Sequence, residues 1–214
     1  MKSKLFAMAA AIVILGGCKS MYYGTMEKFG VHKREILVDR VKDARDTQNE
    51  AKKQFLTAME QFKSVVNFKG GDLEKEYNKL NDTLKKSESK ADEVHDRISS
   101  VESVSKALFK EWNAEIKKYN SDALRKSSQE KYDLTKGKYN ELIESMKRAE
   151  DKLEPALIPL RDQVLFMKHN LNARAIAGLS DELINVQTNV DELIRDIENA
   201  VAQADLFITS LQAE

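Results

Sequence analysis

Few residues in this 214-residue chain have the type and spacing to do chemistry. Cys18 is the only cysteine. An intramolecular disulfide, a cysteine-rich zinc site and a CxxC redox pair are therefore excluded. The histidines, His32, His95 and His169, are scattered. Asp92-x-x-His95 has the spacing of half a di-iron site, but such a site needs a second copy of the motif and two further carboxylates. Val94 falls on an apolar seam, so the pair reads as a solvated flank of the core. No HExxH, GxSxG, Walker loop or dinucleotide fingerprint occurs. No catalytic set, metal or cofactor is expected. The remaining candidates are for recognition. Trp112, the sole tryptophan, is a core residue or an exposed anchor, and its indole N–H needs a partner if buried. Lys117, Lys118, Arg125 and Lys126 surround a turn, and Lys168, His169, Asn170 and Asn172 form a polar run on an otherwise apolar helix. That run is a buried hydrogen-bond network, a docking patch or a solvated end.

Cys18 draws its meaning from the residues before it. Lys2 and Lys4 form a short positive region, and Leu5 to Leu15 is an apolar run of eleven residues. A membrane-spanning helix needs roughly 20, so residues 1–17 read as a signal peptide. Leu15-Gly16-Gly17-Cys18 resembles the lipobox of bacterial lipoproteins. The resemblance implies a diacylglyceryl thioether on the Cys18 thiol, cleavage after Gly17 and acylation of the new amino group. Two or more acyl chains anchor stably, whereas one is marginal. In enteric-type lipoproteins an Asp after the cysteine retains the protein in the inner membrane. Lys19 therefore implies an outer-membrane location facing the periplasm. Removal of residues 1–17 takes two lysines and leaves 33 basic against 35 acidic side chains.

The composition narrows the fold that must position these residues. Lys+Arg and Asp+Glu balance at 35 each, which argues against a nucleic-acid partner. Hydrophobic residues make up 42%, enough to exclude wholesale disorder, and eight Gly with two Pro are too few for a sandwich or barrel. Residues 18–32 read as a lipidated juxtamembrane linker, with Tyr22 and Tyr23 suited to headgroup level. From Lys33 onward apolar residues recur at 4-3-4-3 spacing. The first seam runs from Leu37 through Val41, Ala44, Gln48, Ala51, Phe55, Ala58 and Phe62 to Val65. Gly70-Gly71 stops it and Asp72 is an N-cap. The second runs from Leu73 to Trp112, and Ser121 or Asp122 caps the third helix. The third seam, from Tyr132, shifts by an inserted four at Pro155 and Pro159, as for a bent helix. Gly178 ends it with Ser180 as the cap of the fourth helix. The last seam, Leu183 to Leu211, is widened by Ile184, Ile194, Val201 and Ile208, which suits contact with two neighbours.

The expected fold is all-α: an elongated antiparallel bundle of four long helices, about 33–68, 72–119, 122–177 and 180–213, within residues 33–214. Short connections make neighbours antiparallel, so the second and third helices project about 20 Å past the first and fourth as a hairpin. Its tip, near residues 119–122, lies at the end where the first helix begins. That tip is either a solvated turn or a surface that approaches headgroups or a membrane-proximal partner.

Two segments resemble a family of uncharacterised Gram-negative envelope lipoproteins known only as a domain of unknown function. They are Tyr22 to Arg34 (YYGTMEKFGVHKR), continued by Ile36 to Val41, and Asp162 to Ala173 (DQVLFMKHNLNA). The resemblance implies a helical fold and an envelope location and brings no activity. The expected function is a lipid-anchored scaffold or protein–protein adaptor. Its partners would be the membrane through Cys18, an envelope protein, and a second copy of the chain, since heptad seams serve either packing. The alternative is a peripheral membrane-binding or membrane-shaping module.

Overall fold

The computed structural model describes residues 33–68, 70–170 and 173–212, and every regular element in them is helical. Its five helices, in chain order, are α1 (Lys33–Val66), α2 (Leu73–Ile116), α3 (Asp122–Asp151), α4 (Leu153–His169) and α5 (Ala173–Gln212). α3 and α4 are stacked end to end and act as one bent leg, so the architecture is a four-legged antiparallel bundle. α1 packs on α2 and α5, and α3 and α4 close the ring between α2 and α5.

The seams become the core because apolar side chains at 4-3 spacing share one helix face. All nine residues of the first seam are buried, and so are Val186, Val190, Leu193, Ile197, Ala200, Ala204, Phe207 and Leu211 of the last. Ion pairs between helices line the margins: Arg45–Asp205 at 2.7 Å and Lys52–Glu198 at 3.0 Å join α1 to α5, and Lys90–Glu50 at 2.8 Å joins α2 to α1. At the surface each contributes less than about 1 kcal/mol. Their consistent register fixes the antiparallel pairing.

The turns have local chemical causes. Gly70 (φ +139°) and Gly71 (φ +121°) take conformations closed to side-chain-bearing residues. Asp72 then accepts the Lys75 N–H at 3.0 Å to cap α2. Ser121 accepts the Leu124 N–H at 3.4 Å to cap α3.

The third leg differs from expectation. Instead of one helix over 122–177, the chain breaks at Lys152 (φ −87°, ψ −10°) and stops at His169. Pro155 has no N–H to offer the Asp151 carbonyl, which favours the break there, whereas Pro159 is carried inside α4. In the first turn of α4 the donor missing at Pro155 costs nothing. The break does not fall at Gly178 and Ser180, which lie inside α5; the observed one begins after His169. Asn170 makes it: its backbone leaves the helical region (φ −134°, ψ +53°), its N–H bonds the Met167 carbonyl at 3.0 Å, and its side-chain amide bonds that of Phe166 at 2.9 Å. Glycine in a helix interior costs about 1 kcal/mol, too little to outweigh packing along α5. Ile184, expected to widen the last seam, is 78% exposed, whereas Ile194 and Val201 are partly buried and Ile208 is buried.

The long legs outrun the short ones. Lys33 at the start of α1 pairs with Glu111 at 2.6 Å, and Arg34 donates to the Leu211 carbonyl at 2.6 Å. α2 beyond Glu111 and the first turns of α3 therefore project past the described ends of α1 and α5. At 1.5 Å per residue the projection is roughly 10–15 Å, less than the 20 Å expected, because α2 ends at Ile116 and α5 begins earlier.

Candidate functional site

The structure gathers the sequence-predicted recognition residues at opposite ends of the bundle. At the hairpin end, Phe109, Ile116 and Tyr132 form a small core separate from that of the bundle, with Trp112 and Tyr139 packed against it. Trp112 meets Tyr132 edge to face at 5.6 Å, as does Phe109. The Trp112 indole donates to Ser128 Oγ at 3.0 Å, which supplies the partner a half-buried indole needs. Trp112 thus braces the hairpin base. Burial raises the Tyr139 phenol above its usual range, opposed by a hydrogen bond with Ser105.

The four basic residues near the tip divide into two kinds. Arg125 clips the turn, donating to Asp122 Oδ1 at 3.0 Å and to the Tyr119 carbonyl at 2.7 Å. Lys117, Lys118 and Lys126 are exposed. Leu124 and Tyr119 stand exposed between them, at 58% and 39%.

Behind the hairpin base is a cavity of about 300 Å³, lined by Lys33, Arg34, Leu108, Glu111, Trp112, Glu115, Thr135 and Leu211. Thr135 is 2% exposed and its Oγ1 has no hydrogen-bond partner. A buried hydroxyl without a partner costs about 1–3 kcal/mol. Thr135→Val is therefore expected to raise stability by about 1 kcal/mol in a urea titration, whereas a fall would show that the hydroxyl is satisfied.

At the other end, Lys168 and His169 are exposed in the last turn of α4, and Asn170 is consumed in ending that helix. Asn172 and Cys18 lie outside the described residues. The outward face of α4, where Ile158, Leu165 and Phe166 are 46%, 60% and 44% exposed, was not foreseen from sequence. The shifted seam was the available signal, since it leaves all three off the buried stripe.

His95 bonds Glu150 across α2 and α3 at 2.5 Å, and that carboxylate holds the imidazolium charged to higher pH than usual. Asp92 adds a weaker effect in the same direction. The pair links two helices at the surface and adds no acid–base device inside a cleft. Among the described residues no group of three or more His, Cys, Asp or Glu is placed to hold a metal ion, and no helix is long and apolar enough to cross a membrane.

This geometry defines an extended helical bundle with a projecting hairpin. A family model described as "Protein of unknown function (DUF2959)" matches residues 22–211, and the chain belongs to that family. The match begins four residues after Cys18. No curated protein matches the chain.

Proposed function

We propose that this chain is a lipoprotein anchored in the outer membrane through acyl chains on Cys18, facing the periplasm, and that it serves as a structural scaffold or protein–protein adaptor without catalysis. The observation that carries this reading is one cysteine placed directly after Leu15-Gly16-Gly17, at the end of a basic and then apolar leader. Two further features support it. Apolar side chains fill the interior of the bundle along all four legs, which leaves little polar surface inside for a reaction. The polar residues that do stand free lie at the ends and margins, where a partner can reach them. Cys18 fixes one end, and the bundle presents its surfaces at a set distance from the membrane.

A capture experiment from crosslinked membranes, with the wild-type chain and with Cys18→Ser, tests the adaptor role. The expected result is one envelope protein retained by both chains, because the bundle does the recognising. Loss of every protein partner, with lipid still bound in the absence of acylation, would overturn the adaptor and favour the membrane-binding module.

A further inference from the structure

Although the chain as a whole is balanced in charge, residues 115–126 hold Lys117, Lys118, Arg125 and Lys126 against two acids, Glu115 and Asp122. Arg125 and Asp122 are bonded to each other, which leaves three exposed lysines, for which no ion pair is found among the described residues, against Glu115. Tyr119, in the turn, and Leu124, in the first turn of α3, are both exposed, though an aliphatic side chain gains nothing from contact with water. The tip also lies at the end of the bundle where α1 begins, as the pairing of Lys33 with Glu111 fixes.

We infer that the hairpin tip is a second membrane contact, docking on an anionic phospholipid surface. Lys117, Lys118 and Lys126 meet the phosphates, while Leu124 and Tyr119 enter the headgroup boundary. A lysine near an anionic surface contributes enough for roughly a fivefold gain in binding, and tyrosine is favoured at that depth because its ring is apolar and its hydroxyl polar. That the tip meets the membrane in the cell rests on the acyl anchor proposed above. Two contacts on one side would hold the rod upright, with the end of α4 at His169 roughly 70 Å away from the bilayer.

Trp112 makes the test direct, because it is the only tryptophan and lies about two turns from the tip. The acylated chain is bound to phosphatidylcholine vesicles, with or without phosphatidylglycerol, that carry a trace of dansyl-headgroup lipid. Energy transfer from Trp112 to dansyl is expected on the anionic vesicles. It should be lost in the triple variant Lys117→Glu, Lys118→Glu and Lys126→Glu, although that protein still floats with the vesicles. The chain from residue 18 carrying Cys18→Ser should bind the anionic vesicles weakly and salt-sensitively, and the triple change should weaken this by at least about a hundredfold. Equal transfer, or equal binding, with and without the three changes would overturn the inference. A native chain that carries no acyl group would defeat the anchor alone, and the binding of the Cys18→Ser chain would still decide on the tip.

Discussion

The chain beginning at residue 18 is expected to lose at least about four orders of magnitude in its partition onto phospholipid vesicles when it carries Cys18→Ser in place of the acylated cysteine. A single myristoyl chain gives a partition constant of about 10⁴ M⁻¹, and each further chain multiplies the effect through about 0.8 kcal/mol per buried methylene. Little in the rest of the molecule can replace that. No described helix is long and apolar enough to span a membrane, and the exposed apolar residues are spread over several helices, with the largest group the three on the outward face of α4. Serine has nearly the size of cysteine but forms no thioether, and position 18 precedes Lys33, the first residue of α1. In the full precursor the same change should leave residues 1–17 attached, visible as a heavier chain on a gel. Flotation of vesicles in a density gradient reads the partition, and equal flotation of the two proteins would show that the anchor lies elsewhere.

Phe55→Ala is expected to destabilise the bundle by about 3–5 kcal/mol. Phe55 is 0% exposed, at a seam position of α1, the leg that packs on both α2 and α5. Truncation removes apolar contact from the core, and long helices locked by seams on two sides cannot close the void. For a chain of this size, the loss corresponds to a Tm lower by roughly 10 °C. Leu56→Ala is the control: this neighbour of Phe55 is 42% exposed, and its loss should fall within about 0.5 kcal/mol. Thermal unfolding followed by circular dichroism separates the two. Equal losses would mean that α1 does not sit in the core through this face.

The heptad seams were legible because burial in a bundle depends mainly on spacing, and spacing is a property of sequence. Gly70-Gly71-Asp72 and Ser121 were legible because positive φ and a cap hydroxyl need particular residue types. The end of α4 at His169 was not. It depends on Asn170 bonding the carbonyls of Phe166 and Met167, which competes closely with helix continuation. Gly178 looked like a better stop, but propensity is a weak signal beside packing along a forty-residue helix. Ile184 departs from the seam for a geometric reason. It stands nine residues from Leu193, and at about 100° per residue that puts it on the opposite side of α5. Of the candidate site, the tip lysines could be named but not sorted from Arg125, because only the folded turn shows which cation Asp122 and the Tyr119 carbonyl engage.

The central claim is that lipid on one residue tethers a preformed helical rod. The intact mass of the protein extracted from membranes tests this most directly. A polypeptide starting at residue 18, heavier than its sequence by a diacylglyceryl group and a further acyl chain, with the excess on the peptide containing Cys18, is the predicted result. A mature chain whose Cys18 is an unmodified thiol, or one that starts at another residue, would contradict it.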